Sequence, residues 1–240
     1  MIRIPIASAG DAAVWRLLID LARRQRGWTL VGARMVELHA FEHGRMPLRL
    51  SRDADALADA RQRPNPVRRL AELLVSAGFE VEPEGFGHGH AFRKGTLEID
   101  VLAPEELGPR SRQLRTTIPP LHTVSIPGGR QALARSRPVE VEIDATKGTI
   151  PRPELVGAIL LKARAVEVDD APTSQRSDLA LLLSLVDEPD EARALISPTE
   201  RRWLRRRSEM DDLDAECWRS LPPDDAQRGL SSLRALTSFK

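Results

Sequence analysis

The order of apolar and polar residues predicts helices alternating with strands over the first 150 residues. Apolar side chains recur every three or four positions in residues 11–26 and 66–77, which is the period of a helix buried on one face. Asp11 is the candidate N-cap of the first of these helices. Residues 28–31 are predicted as a short strand that ends at Gly32, and a further helix is predicted to start at that glycine.

A period of two predicts strands in the following part of the chain. In residues 96–102 the apolar side chains of Leu97, Ile99 and Val101 share one face, while Asp100 lies on the other face with Glu98 and Leu102. Asp100 is therefore a carboxylate within an otherwise apolar strand. Further strands are predicted at residues 79–82, 121–126 and 139–143, a glycine-rich turn at 85–89, and a loop or short helix at 103–120.

The pattern changes near residues 149–153, and the chain beyond is predicted to be helical. We therefore expect an α/β domain over residues 1–150 and a helical domain over residues 151–240. The last residues, 225–240, are polar and small, which favours partial disorder. Helices are predicted at residues 153–166, 174–186, 189–196 and 198–210, with a weaker helical segment reaching Trp218.

Composition narrows the class of protein. The chain has 240 residues, of which 41% are hydrophobic, enough for a large core. No apolar run is long enough to cross a bilayer and no secretory signal is evident, so we expect a cytoplasmic protein without a membrane partner. The lone cysteine, Cys217, excludes an internal disulfide and a thiolate metal site. Lys and Arg number 36 against 35 Asp and Glu, so any nucleic-acid contact must come from a local cluster.

Two carboxylates stand at the start of the strand predicted after residue 50. Asp53 and Asp55 are two positions apart, so on an extended backbone their side chains point to the same side and reach one cation. Mg²⁺ is commonly held by one or two carboxylates together with substrate phosphates. The pair therefore indicates phosphoryl or nucleotidyl transfer, although a solvated acidic turn is the plain alternative.

The full arrangement resembles the nucleotidyltransferase superfamily with the DNA-polymerase-β-like fold. More narrowly, it is similar to the AbiEii-type nucleotidyltransferase toxins of type IV toxin–antitoxin pairs, including the mycobacterial nucleotidyltransferase toxins. The resemblance covers roughly residues 28–186. It depends on a strand followed by Gly32, on the segment 49–55 with its two aspartates, and on Lys162 followed by Asp178 in the helical half.

This resemblance implies a mixed sheet with flanking helices followed by a helical C-terminal domain, and it implies a role for each matched residue. Asp53 and Asp55 are expected to coordinate Mg²⁺ and the triphosphate, and Asp100 to supply a third carboxylate as metal ligand or base. Lys162 is expected to neutralise phosphate charge, and Asp178 to complete the catalytic set.

The resemblance also implies which residues bind the nucleotide. Gly32, Ala33, Ser51 and Arg52 are expected to do so together with Lys162. The family has Gly-Ser or Gly-Gly where this chain has Gly32 and Ala33. A phosphate-binding hydroxyl is thus missing, but backbone amides at a helix start remain able to bind phosphate.

The expected activity is the Mg²⁺-dependent transfer of a nucleoside monophosphate from an NTP to an acceptor hydroxyl. By resemblance the acceptor is the 3′ end of tRNA, the outcome is blocked translation, and a cognate antitoxin protein reverses it. Two alternatives stay open: a nucleotidyltransferase that modifies a protein or small molecule, and a non-catalytic RNA-binding or regulatory relative.

Each candidate residue also has a simpler interpretation. Asp100 can pair with Arg93 or Lys94 across a hairpin, Lys162 can be a surface lysine, and Asp178 can stabilise a helix start. His88 and His90 have the spacing of a metal pair, but no third His or Cys follows at a suitable interval, which favours a hairpin tip.

One basic run is the candidate RNA contact. It contains an aromatic residue, Trp203, and in a helix we expect Trp203 and Leu204 to face the core while the arginines face solvent or phosphate. A solvated helix face is the alternative. The arginines proposed to bind RNA are Arg201, Arg202, Arg205 and Arg206.

Overall fold

The computed structural model describes residues 1–108, 111–168 and 172–238. Its contacts divide the chain into two compact units. The first unit comprises Met1–Met35 and Ser51–Pro153, and the second comprises Val36–Leu50 and Glu154–Lys240. The segment 36–50 thus belongs with the C-terminal helices, although it lies within the first 150 residues of the chain.

Over its described residues, the first unit contains nine strands, and one of its helices continues into the second unit. Its strands are β1 (Ile2–Arg3), β2 (Trp28–Val31), β3 (Asp53–Ala58), β4 (Glu80–Val81), β5 (Ala91–Lys94), β6 (Leu97–Pro104), β7 (Ser125–Ile126), β8 (Ser136–Ile143) and β9 (Thr146–Pro153). Its helices are α1 (Ala9–Arg24), α2 (Gly32–Glu42, shared), α3 (Pro66–Ser76), α4 (Ser111–Leu114) and α5 (Gly129–Ala134), with a 3-10 turn at Gly85–Gly87.

The described strands of this unit form two sheets. A six-stranded mixed sheet has the order β2-β3-β6-β5-β4, with β7 paired to β6. Within it β3 runs antiparallel to β2 and parallel to β6, while β5 is antiparallel to β6. A three-stranded sheet has the order β1-β8-β9. The mixed sheets and their helices confirm the predicted α/β class.

Helix α1 begins before its predicted start. The hydroxyl of Ser8 accepts a hydrogen bond from the Asp11 backbone N–H at 3.1 Å, so Ser8 is the N-cap and the prediction of Asp11 was wrong. Asp11 instead lies in the first turn, where a negative charge is favourable. The helix packs on β9, and a Cβ at Gly148 would lie 2.3 Å from Ile19 Cγ2.

Strand predictions succeeded where alternation was clear and failed where prolines interrupt it. Strand β9 was not predicted, because Pro151 and Pro153 resemble a domain boundary. Proline is tolerated there because β9 is an edge strand of its sheet. The predicted strand 121–126 shrinks to Ser125–Ile126, and β8 begins three residues before its predicted start at residue 139.

The second unit is helical. It contains α6 (Leu155–Ala165), α7 (Pro172–Ser184), α8 (Pro189–Ala194), α9 (Pro198–Arg205), α10 (Glu216–Arg219) and α11 (Pro223–Thr237), with a 3-10 turn at Ser208–Met210. The prediction of partial disorder over residues 225–240 was wrong for 225–237, because α11 buries Leu230, Leu233 and Leu236 and packs on α7, α8 and α9. Phe239 and Lys240 lie outside the described residues. Among the described helices, none combines the length and the apolar character that a bilayer crossing requires.

Candidate active site

Strands β3 and β6 bring acidic side chains together on one face of the six-stranded sheet. Their parallel register pairs Asp53 with Glu98 and Asp55 with Asp100. Side chains alternate between the faces of a sheet, so these acids share a face. The intervening residues Ala54, Ala56, Ile99 and Val101 are buried on the opposite face. The predicted pair Asp53 and Asp55 thus lies beside the predicted third carboxylate, Asp100.

Glu98 is a member of this acidic face that the sequence analysis did not single out. Its side chain forms an ion pair with Arg93 of β5, with Nε 3.0 Å from Oε2. Arg93 also contacts Glu82. The only available signal was the alternation of β6, which places Glu98 on the same face as Asp100.

Gly32 allows Asp55 to approach the start of helix α2. The glycine has a φ of 68°, in the left-handed region that side chains disfavour. A Cβ on it would lie 1.8 Å from Asp55 Oδ2. Because the start of a helix carries unpaired N–H groups and a partial positive charge, this position stabilises a carboxylate. Gly32 is therefore needed for the local geometry of Asp55.

Asp100 lies in surroundings that disfavour its charge. Burial, followed by the negative charges of Glu98, Asp53 and Glu84, raises the pKa of Asp100 to about 7, and the nearby positive charge of Arg93 acts against this. Asp100 Oδ1 is buried without a hydrogen-bond partner. The predicted alternative, an ion pair of Asp100 with Arg93 or Lys94, is not formed, because Arg93 binds Glu98 and Glu82 while Lys94 Nζ donates to Ala77 O. A carboxyl group with a pKa near neutrality is suited to accept a proton.

The acidic face fits a cation that takes part of its coordination from substrate. Among residues 1–108, 111–168 and 172–238, no group of three or more His, Cys, Asp or Glu is arranged to hold a metal ion. The side chains of Asp53, Asp55 and Asp100 are therefore not arranged to bind one metal ion together. Two carboxylates from one strand, next to a buried oxygen of Asp100 that lacks a partner, still match the sparse protein coordination of Mg²⁺.

A cavity lies beside the start of β3. Its volume is about 240 Å³, and its lining includes Ser51 and Arg52, two of the predicted nucleotide-binding residues. The Ser51 hydroxyl donates a hydrogen bond to Asp53 Oδ1, which links this cavity to the acidic face. Gly32 and Ala33 do not line it, and Ala33 is buried.

In the second unit, the predicted residues Lys162 and Asp178 contact each other. Lys162 Nζ lies 2.8 Å from Asp178 Oδ2 and donates to Gln175 Oε1 at 2.7 Å. Both residues are buried, with 3% of each exposed. Arg49 adds a second cation to Asp178 at 3.1 Å. The surface interpretation of Lys162 is therefore wrong, and its charge is compensated by a neighbouring carboxylate.

The histidine pair of the glycine-rich turn makes contacts within the first unit. The His88 ring lies 4.9 Å from the ring of His122 in an edge-to-face arrangement. His90 Nε2 lies 3.8 Å from Glu84 Oε2. The part of the chain that the structure describes holds no three-residue metal group here.

The basic run lies on α9 and is partly engaged within the second unit. Leu204 is buried as expected, whereas Trp203 is only half-buried and lies under the guanidinium of Arg164 at 5.2 Å. Arg205 Nε donates to Thr237 O at 2.8 Å, and Arg202 donates to Thr199 Oγ1. Arg206 approaches Glu167 at 3.5 Å, and Arg201 is half-buried.

Comparison with known proteins gives one distant likeness. No family model matches the chain, and no curated protein matches it. Among solved structures it is similar to the crystal structure of an antigenic nucleotidyltransferase-like protein from Paracoccidioides brasiliensis, with 14% identity, 92% of this chain and 85% of that chain covered, and a TM-score of 0.47. A likeness of this degree identifies neither family nor activity, so a functional assignment depends on the acidic face itself.

Proposed function

We propose that the protein is a Mg²⁺-dependent nucleotidyltransferase that moves a nucleoside monophosphate from an NTP to an acceptor hydroxyl. One observation carries the proposal. The β3–β6 register places Asp53 and Asp55 beside Asp100, and Gly32 leaves room for the Asp55 carboxylate at the start of α2. This arrangement supplies ligands for a cation and a separate carboxyl group for a proton.

In this proposal Asp53 and Asp55 hold the cation, and Ser51 orients Asp53 through its hydrogen bond. Bound Mg²⁺ would supply charge neutralisation for the triphosphate and the leaving pyrophosphate. The oxygen of the acceptor hydroxyl bonds to the α-phosphorus, and the bond from that phosphorus to the bridging oxygen of the β-phosphate breaks. The nucleoside monophosphate is thereby transferred, and pyrophosphate leaves.

Asp100 is proposed to be the general base that accepts the proton of the acceptor hydroxyl. Its pKa of about 7 lets it take up a proton near neutral pH without the penalty that an ordinary aspartate would meet. Its buried oxygen has no competing hydrogen-bond donor. Because Glu98 is already paired with Arg93, Asp100 is the better candidate on this face.

Ser51 and Arg52 are proposed to bind the nucleotide at the cavity beside β3. Gly32 and Ala33 do not line that cavity, and their backbone groups at the start of α2 are proposed to bind phosphate on the neighbouring acidic face. On the family resemblance alone, Lys162 is proposed to neutralise phosphate charge, although Asp178 compensates that charge within the second unit. Its ion pair with Asp178 fixes the lysine side chain, so the two residues act as one unit.

The proposed acceptor is the 3′ end of tRNA, and the proposed biological role is that of a toxin that blocks translation and is countered by an antitoxin protein. The support is the family resemblance of residues 28–186 and the basic run of α9. Of that run, Arg201, Arg202, Arg205 and Arg206 remain the proposed RNA contacts.

The test uses the full chain, Mg²⁺, each α-labelled NTP in turn, and total tRNA. We expect label on tRNA from at least one NTP, no label after chelation of Mg²⁺, and none with Asp55→Ala. Glu140→Ala, on β8 of the three-stranded sheet, is the acidic control and should retain transfer. Label on protein instead of RNA would reject the tRNA acceptor, and absence of transfer to tRNA, protein and small hydroxyl compounds would reject the activity.

A further inference from the structure

Arg34 is a buried cation next to the acidic face. Only 1% of the residue is exposed, although arginine is rarely buried unless it is paired. Arg34 lies on α2, two positions after Gly32. Neither its place in the helix nor the surrounding sequence pattern indicates a function, so its role depends on what its guanidinium contacts.

The guanidinium donates hydrogen bonds to the backbone on both sides of Arg52 and to helix α1. Nε donates to the backbone carbonyl of Asp53 at 2.9 Å, and Nη2 donates to the carbonyl of Ser51 at 2.9 Å. Nη1 donates to Asp11 Oδ1 at 2.7 Å. One rigid planar group therefore holds the backbone on both sides of Arg52.

Helix α1 fixes the plane of this group. The guanidinium carbon lies 4.8 Å from the ring centre of Trp15, which is fully buried. Asp11 and Trp15 both belong to α1, so the same helix supplies a counter-charge and a stacking surface. Arginine suits this position because its donors have a fixed geometry, whereas lysine offers a single flexible ammonium.

The contacts of Arg34 have two roles: the ion pair with Asp11 compensates its charge, and the hydrogen bonds to Ser51 and Asp53 orient the backbone. Asp11 compensates the charge of Arg34 directly, and its side chain is 11% exposed. The donors to Ser51 and Asp53 go to backbone oxygens and leave their side chains available for the Ser51 to Asp53 hydrogen bond. Arg34 thus constrains the backbone from which Asp53 projects.

We propose that Arg34 is a positioning residue, which clamps the segment 51–53 so that Asp53 and Asp55 are preset to receive a divalent cation. The cation is part of the proposed function, and the clamp itself is a property of the backbone that can be measured without it. Residues that orient metal ligands from behind commonly change metal affinity 10–100-fold when they are removed.

The first experiment measures amide hydrogen exchange in residues 51–56 of the metal-free protein. Arg34→Gln loses the fork of donors, and we expect these amides to exchange roughly tenfold to a hundredfold faster, since hydrogen bonds to a charged group are among the stronger ones. Leu70→Ala, which opens a cavity in the buried face of α3, is the control for general destabilisation. Unchanged exchange in Arg34→Gln, or an equal increase in Leu70→Ala, overturns the clamp.

The second experiment measures Mn²⁺ binding by electron paramagnetic resonance. We expect affinity to fall roughly 10–100-fold in Arg34→Gln, to be partly restored in Arg34→Lys, and to fall less in Asp11→Asn, which keeps an oxygen to accept from Arg34. Arg34→Lys carries the test if Arg34→Gln does not fold, because it keeps a buried positive charge but loses the fork of donors to Ser51 and Asp53. Equal affinity in wild type and Arg34→Lys, together with normal exchange in the latter, contradicts a need for the fork.

These readouts separate the two proposals. If wild type binds Mn²⁺ and Arg34→Gln weakens it, but no nucleotide is transferred, the clamp stands and the nucleotidyltransferase assignment fails. If transfer occurs and Arg34→Gln changes neither exchange nor Mn²⁺ affinity, the assignment stands and the clamp fails.

Discussion

Asp100 in the first unit and Asp178 in the second are both aspartates with oxygens shielded from water, but their surroundings are opposite. Asp178 meets Lys162 at 2.8 Å and Arg49 at 3.1 Å. Asp100 is surrounded by Glu98, Asp53 and Glu84, and its Oδ1 has no hydrogen-bond partner. Positive partners stabilise the charge of a buried carboxylate, whereas a buried carboxylate among like charges tends to bind a proton or a cation. The acidic face is therefore the better candidate for chemistry.

The largest expected effect comes from removing a cation ligand from the acidic face. Asp55→Asn should lower the rate of nucleotide transfer roughly a thousandfold, because a bound metal contributes several kcal/mol to catalysis. Its unfolding free energy should change little, because the favourable position of the charge at the start of α2 and the repulsion from neighbouring like charges are lost together. Single-turnover rates and urea unfolding measure the two quantities. A normal rate would remove Asp55 from the proposed site.

Breaking the Lys162–Asp178 ion pair of the second unit should mainly lower the stability of the protein. Lys162→Met leaves Asp178 buried beside Arg49 alone, and we expect a loss of roughly 3 kcal/mol of stability, at the lower end for a broken buried pair. The double variant Lys162→Met/Asp178→Leu should recover part of it, because no uncompensated carboxylate remains. Urea unfolding of both variants is the measurement. Undiminished stability in Lys162→Met would contradict a structural ion pair.

The raised pKa of Asp100 predicts how stability depends on pH in metal-free protein. Below about pH 4 the Asp100 carboxyl is protonated in the folded and unfolded states, and its contribution to the free energy of unfolding is fully present. From there to about pH 7 only the unfolded chain loses the proton, so this contribution is lost as pH rises, at about 1.4 kcal/mol per pH unit at most. The stability difference between wild type and Asp100→Asn should therefore decline across that window. A stability difference that does not change with pH would contradict the raised pKa of Asp100.

The smallest expected effect concerns Arg93, which acts on Asp100 from the neighbouring strand. Because the charge of Arg93 lowers the pKa of Asp100, Arg93→Gln should raise that pKa slightly further. The titration of the Asp100 carboxyl carbon, followed by NMR, measures the change. Lys94→Gln is the control, since Lys94 Nζ binds the carbonyl of Ala77. A fall in the Asp100 pKa in Arg93→Gln would reverse the inferred sign.

The acidic strands can be located from the sequence because the side chains of a strand have a period of two. That period put Asp53 and Asp55 on one side of β3 and separated Asp100 from the apolar face of β6, as the structure confirms. It failed at β9 and α11. Both contain residues typical of loops, and their positions depend on packing against β8 and α7, which no local pattern encodes.

Sequence by itself determined which residues can share a strand face, where Gly32 begins a helix, and that two aspartates lie close in the chain. Only the tertiary structure decided that Asp55 lies opposite Asp100 and that Arg34 reaches both sides of Arg52. It also decided that Lys162 and Asp178 neutralise each other. The physical reason is that side-chain periodicity is local, whereas strand register, burial and the pKa values that follow from them depend on contacts between distant parts of the chain.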